Sequence, residues 1–209
     1  LRESTDRRMT SFLKHNFSGV SPRAAKEILG MADIEEGRTP KRIKPEEAKA
    51  MITAFQTVKL LKPPMDCLSP IEDLLIKKGL SKAIDSRFAS TVTRSPTVSQ
   101  GNPFQIEVGL VFGGDLSSEG PIEILRFANR VPLMYQQGGC LLTKALEAVN
   151  WKSYGLEQPG GSGIPKGPAA VLVHLASTNV QFTSEAKEAV SYNEEVFDEV
   201  RKAMLEVGI

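Results

Sequence analysis

Cysteine, histidine and tryptophan are scarce in this chain. Two Cys, two His and one Trp stand among 209 residues. That scarcity excludes a disulfide framework and leaves little for a zinc site. Cys67 and Cys140 lie far apart without metal-like spacing, which reads as two buried free thiols in a reducing, cytoplasmic setting. His15 and His174 are isolated, and His174 sits within an apolar run, as a packed side chain does. No apolar stretch approaches the ~20 residues of a membrane span. The opening Leu1 to Arg8 has no apolar signal core, so no membrane partner is expected. Neither HExxH, a DxDxxDG calcium loop, GxxxxGK[ST] nor GxSxG occurs.

What is present is a charge asymmetry hidden beneath a net charge of +1. Residues 1–62 balance to +5 and the remainder to −4. Lys41, Arg42, Lys44 and Lys49 cluster around a helix start. Arg7, Arg8 and Lys14 accompany the first helix. Such a surface suits phosphate contact through helix N-termini and basic side chains, or is simply a solvated helical face. No aromatic residues interleave with it, unlike single-strand binders.

Periodicity divides the chain. Thr5 to Phe17 places Met9, Phe12 and Leu13 on one helical face. Ser21-Pro22 opens a second helix as N-cap and first position, with Ala24, Ala25, Ile28 and Leu29 inward. Pro45 starts a third, with Met51, Ile52, Phe55 and Val58 inward, and Pro63-Pro64 blocks its continuation. Ser69-Pro70-Ile71-Glu72 reads as the capping box of a fourth, stopping at Gly79.

Beyond it the period changes to strands. Phe88–Thr93, Phe104–Phe112, Ile122–Phe127 and the apolar run Ala169–Ala176 are strand-like. Leu141–Val149 is helical, and Asn193–Val207 closes the chain as a helix with Val196, Phe197, Val200 and Leu205 inward. Gly160, Gly161, Gly163 and Gly167, with three prolines nearby, predict an exposed flexible loop at 158–168. The expected organisation is therefore all-α over residues 1–85, then α+β over 86–209.

Several segments carry a resemblance. Arg126-Phe127-Ala128-Asn129-Arg130-Val131-Pro132-Leu133 is the most specific. Arg94-Ser95-Pro96, Gly101 to Glu107, Ala176-Ser177-Thr178 and Ser184 to Glu188 accompany it. Together they closely resemble the transducer region in the B subunit of archaeal DNA topoisomerase VI, the ATP-binding component of the type IIB topoisomerases. The resemblance runs over nearly the whole chain. It implies a helix–two-turns–helix domain followed by a transducer domain whose sheet has a left-handed βαβ crossover. That handedness is not written in periodicity.

The resemblance also implies roles. The lysine at the position of Lys187 contacts the γ-phosphate of ATP held by a neighbouring Bergerat-fold ATPase domain. The family usually has glycine before it, where this chain has Ala186. From its residue type alone, Lys187 reads as an ordinary surface lysine in the first turn of a helix. Arg126, Asn129 and Arg130 read as a structural latch between elements, or as turn residues whose arginines pair with Glu107 or Glu123. The ATP-binding motifs of Bergerat-fold enzymes are absent, as is a context for a DNA-cleaving tyrosine. ATP and Mg2+ thus belong to the full-length protein, and this segment is expected to bind neither and to be inactive alone.

The implied partners are the A subunit of topoisomerase VI, a second B subunit joined in an ATP-dependent dimer, and double-stranded DNA. The implied activity is that of an ATP-dependent DNA topoisomerase, an isomerase working as an A2B2 heterotetramer. Two other readings stay open: a non-catalytic nucleic-acid-binding protein, and a meiotic B-like interaction protein. Mismatch-repair relatives lack the helical segment of residues 5–80.

Overall fold

The computed structural model describes residues 1–61 and 64–208. Its contacts fall into two units, Leu1–Pro63 and Pro64–Ile209.

The first unit packs α1 (Met9–Asn16), α2 (Pro22–Met31) and α3 (Pro45–Thr57) around Met9, Leu13, Ile28, Leu29, Ile34 and Met51. Ser21 caps α2 as its sequence predicts, its Oγ accepting from the Ala24 N–H at 3.1 Å. Helix α1 begins four residues later than its apolar spacing suggests, because Asp6 is engaged elsewhere. Its carboxylate meets His15 Nδ1 at 2.8 Å and accepts from Asn16 at 3.3 Å, folding the preceding segment back along the helix. Ile52 is 61% exposed rather than inward, since Met51 and Ala54 occupy the core-facing positions of α3. The expected Pro63-Pro64 stop falls partly outside the described residues.

The second unit is a mixed α/β layer structure. Its six strands are β1 (Phe88–Thr93), β2 (Thr97–Ser99), β3 (Asn102–Phe112), β4 (Glu123–Ala128), β5 (Val131–Pro132) and β6 (Ala169–Ser177). They lie in the order β1-β3-β6-β4-β5, with β2 paired to β3. All pairings are antiparallel except β4 with β6.

Strands β3 and β6 are central and buried on both faces. One face, carrying Ile106, Val108, Val171 and Val173, packs against α5 (Leu141–Glu147) and α6 (Glu194–Val207). The other, carrying Val111, Ala170 and Leu172, packs against Ile76 and Leu80 of α4 (Asp73–Ala83). Helix α4 thus belongs with the sheet, and the division between units falls at 63/64 rather than at the expected 85/86. Gly109 is what lets α4 approach: a Cβ there would lie 2.5 Å from Leu80 Cδ1 and 2.7 Å from Ile76 Cγ2.

Four further local expectations are corrected. Helix α4 starts at Asp73 without a capping box and continues through Gly79 to Ala83. The backbone N–H groups of Ile71 and Glu72, just before it, are satisfied by the carboxylate of Glu107, so Ser69 is not needed as a cap. Loop 158–168 is pinned rather than loose. The buried Gln158 side chain accepts from Trp151 N–H and donates to the carbonyls of Val149 and Gly163, and Glu157 bridges to Lys166. On α6, Leu205 is 40% exposed, and Ala203, Met204 and Val207 take the inward positions. Cys140 is buried as expected, but Cys67 is exposed, its thiol directed to the Pro64 carbonyl at 3.3 Å.

Candidate functional site

Lys187 lies between β6 and α6 on a loop that closes on itself instead of running into a helix. Phe182 pairs with Val190, Thr183 N–H donates to Ala189 O, and Ser191 N–H donates to Gln181 O. At the tip, Lys187 N–H donates to Ser184 O at 3.2 Å, closing a turn. Helix α6 begins seven residues later, capped by Asn193, which accepts from Val196 N–H.

Lys187 itself occupies the left-handed region, with φ of 55°. Ala186 does not, so alanine in the usual glycine position strains nothing. A lysine held left-handed costs about 1 kcal/mol, a strain typical of functional turns. Its side chain is exposed. The base of the loop is fixed to α5: Leu141 N–H donates to Val190 O at 2.9 Å, and Val190 N–H meets buried Cys140 Sγ. The loop that carries Lys187 is thereby braced against α5.

Beside the end of β6 lies the hairpin of β4 and β5. Asn129 (φ 47°) and Arg130 (φ 67°) form its two-residue link, both left-handed as a type I′ turn requires. The Asn129 side chain imitates a strand, donating to Ser177 O and accepting from Ser177 N–H, each at 2.9 Å. It thereby joins the hairpin to the end of β6, just ahead of the loop that carries Lys187.

Neither arginine pairs with Glu107 or Glu123. Arg126 is buried, its Nη2 donating to the carbonyls of Leu133 and Tyr135 at 2.9 Å each. Arg130 donates through Nη2 to Pro70 O at 2.6 Å. The Glu107 carboxylate is unavailable to them because four other donors fill it. Ile71 N–H and Glu72 N–H bind it at 2.7 Å each, Thr93 Oγ1 at 2.9 Å and His174 Nδ1 at 2.6 Å.

The Arg130 N–H donates to His174 Nε2 at 2.9 Å, so that nitrogen carries no proton and Nδ1 is the donor to Glu107. Burial pushes the Glu107 carboxyl up, but the hydrogen bonds from His174, the two backbone amides and Thr93 outweigh it and hold it below the usual carboxylate range. Both Glu107 and His174 are sealed from solvent, so the pair positions neighbouring elements and performs no chemistry on a substrate. Sequence reading missed this network, along with buried Gln158. The only available signal was a glutamate at an otherwise half-apolar strand position.

In the first unit, Lys41, Arg42, Lys44 and Lys49 surround the start of α3, and none is buried. None is in an ion pair among the described residues. Arg38 is the cation that pairs there, with Glu47 at 2.6 Å, while Glu47 also accepts from Lys44 N–H. The four side chains consequently remain available to an external anion. Among the described residues, no three His, Cys, Asp or Glu side chains converge as a metal-holding group, and no helix is long and apolar enough to cross a membrane.

Known proteins resemble this chain. The family model described as "Topoisomerase VI B subunit, transducer" matches residues 63–209. The chain is 48% identical over 208 residues to the B subunit of type 2 DNA topoisomerase 6 from Methanococcoides burtonii, covering 100% of this chain and 33% of that protein. To the protein of the same name from Archaeoglobus fulgidus it is 47% identical over 197 residues, covering 94% and 32%. It thus spans about a third of the length of these curated relatives. A solved B-subunit of DNA gyrase from Myxococcus xanthus superposes with a TM-score of 0.40 at 16% identity, over 63% of this chain and 38% of that one. The chain belongs to the topoisomerase VI B-subunit transducer family.

Proposed function

We propose that this chain is the relay portion in the B subunit of a type IIB topoisomerase. It carries the nucleotide state of a Bergerat-fold ATPase domain to a DNA-cleaving A subunit during duplex passage. The observation that supports this most is the exposed, left-handed Lys187 on a loop braced against α5, in a chain of the transducer family. A compact ammonium at such a tip suits a terminal phosphate. In this reading ATP and Mg2+ are held by the ATPase domain of the full-length protein. The bound nucleotide supplies a concentrated negative charge at the domain boundary. Lys187 engages that charge while it is present and is released when it leaves, so the loop and α5 change position together. A coupling of about 1–3 kcal/mol is the usual scale for such linkage.

The same reading assigns the remaining parts. The first unit is a helix–two-turns–helix module touching duplex DNA through Lys41, Arg42, Lys44 and Lys49. The crossover from β4 through α5 to β6 is left-handed. Arg126, Asn129 and Arg130 latch the hairpin to β6 and to the segment before α4. The partners are duplex DNA, the A subunit of topoisomerase VI and a second copy of the B subunit, in a cytoplasmic A2B2 complex.

The test is Lys187→Ala in the full-length B subunit in complex with its A subunit. The relay predicts at least a tenfold loss of ATP-dependent supercoil relaxation. Unimpaired nucleotide turnover together with unimpaired relaxation rejects the assignment.

A further inference from the structure

Arg94 stands between β1 and β2, at the head of Arg94-Ser95-Pro96. Strand β3 holds its backbone on both sides. Its N–H donates to Ile106 O at 2.9 Å, and its carbonyl accepts from the side chain of buried Gln105 at 2.9 Å. From that fixed base the guanidinium reaches α6. Nε and Nη2 both donate to Glu199 Oε2 at 3.2 Å, and Nη1 donates to Glu206 Oε2 at 2.6 Å. Burial pushes the Glu199 carboxyl up, but Lys202 and Arg94 outweigh it and hold it below the usual carboxylate range.

Ser99, buried at the end of β2, adds a second grip. Its Oγ accepts from Asn193 Nδ2, the cap of α6, at 2.9 Å and donates to Glu195 Oε2 at 3.0 Å. Residues 195, 199 and 206 fall on one side of the helix. The segment around β2 therefore grips α6 from its cap to its last turn. The buried seam of Val196, Val200, Ala203 and Met204 holds α6 down without fixing its position along the sheet, because apolar burial is non-directional. A planar guanidinium shared between two carboxylates does fix it. Helix α5 meets the same core through Leu141, Leu142, Ala145 and Leu146, and its buried Thr143 hydroxyl has no partner among the described residues. Of the two helices joined to the Lys187 loop, α6 is the one pinned to the sheet.

We propose that Arg94 is a positioning residue of the relay. It holds α6 stationary on the sheet, so that displacement of the Lys187 loop moves α5 against α6 instead of carrying both helices along. The assignment rests on the relay reading given above.

The test uses the full-length B subunit in complex with its A subunit and measures DNA duplexes passed per ATP hydrolysed. Arg94→Ala should lower that ratio at least fivefold. A merely structural role reduces the folded fraction, which lowers hydrolysis and passage together and leaves the ratio unmoved. Glu206→Ala removes one arm of the grip at a half-exposed side chain and should lower the ratio about twofold, which keeps the proposal testable if Arg94→Ala fails to fold. An unchanged ratio in either folded variant overturns it. Lys187→Ala, run alongside, separates the two readings. Lost relaxation in Lys187→Ala with the parent's ratio in Arg94→Ala and Glu206→Ala leaves the relay standing and Arg94 without this role. Intact relaxation in Lys187→Ala removes the relay itself, and the role of Arg94 with it.

Discussion

Glu107 and His174 face each other directly across β3 and β6, 67 residues apart in sequence, with Nδ1 and Oε2 2.6 Å apart in a fully buried site. Through them the backbone of Arg130, on the family-specific hairpin, is linked to the backbone amides that precede α4. Three distant segments are thus held by one carboxylate.

That relationship has a pH signature. The folded-state pKa of Glu107 lies below its unfolded value. Its stabilisation is therefore fully present above the ordinary carboxylate pKa of about 4.3 and is lost as pH falls through the lower folded value. Glu107→Gln leaves buried donors without acceptors and should cost about 3 kcal/mol near neutral pH. Urea unfolding followed by Trp151, the sole tryptophan and a buried one in the second unit, reads this directly. The variant should also lose stability less steeply than the parent below about pH 4.

Gly109→Ala should drive a methyl group into Leu80 and Ile76 and cost about 1–3 kcal/mol by overpacking. The same Trp151 signal measures it. A neutral effect would mean that α4 packs on the sheet more loosely than described.

Asn129→Ala removes two 2.9 Å bonds to Ser177 and places alanine at a φ of 47°. A loss of about 2 kcal/mol follows from the two effects together. Asn129→Gly relieves the backbone term alone and should lie between Ala and the parent. Hydrogen exchange at the Ser177 amide should accelerate in both variants.

If the basic side chains of the first unit meet phosphates, replacing Lys41, Arg42, Lys44 and Lys49 with alanine should flatten the salt dependence of duplex binding. The slope of log affinity against log salt should fall by about 3 to 4. An unchanged slope identifies the patch as a solvated surface.

Much of the local structure was legible because it rests on short-range chemistry. Ser21-Pro22 set the start of α2, and the alternation Phe104, Ile106, Val108, Leu110 identified one buried face of β3. The opposite face was not legible. Gln105, Glu107 and Gly109 look solvent-facing until α4 is known to pack on that side of the sheet, and α4 reads locally as one more helix of an all-helical front. Its start was misread for a related reason: the group satisfying the amides ahead of it comes from residue 107, which no local capping pattern can reveal. Loop 158–168 read as loose from its glycines, although one buried amide, Gln158, organises it from within. Lys187 and the hairpin residues were found through the family resemblance of their motifs. The left-handed backbone of Lys187 and the grip of Arg94 on α6 needed coordinates.

The relay itself can be measured by electron paramagnetic distance spectroscopy on the full A2B2 complex. Cys67→Ser removes the exposed thiol, leaving Cys140 buried. One spin label then goes at Ser153, which is exposed on the second unit, and one on the ATPase domain. Adding a non-hydrolysable ATP analogue should shift the distance distribution with Lys187 present and leave it unmoved in Lys187→Ala, at matched nucleotide occupancy. The same shift in both proteins would contradict a relay through Lys187.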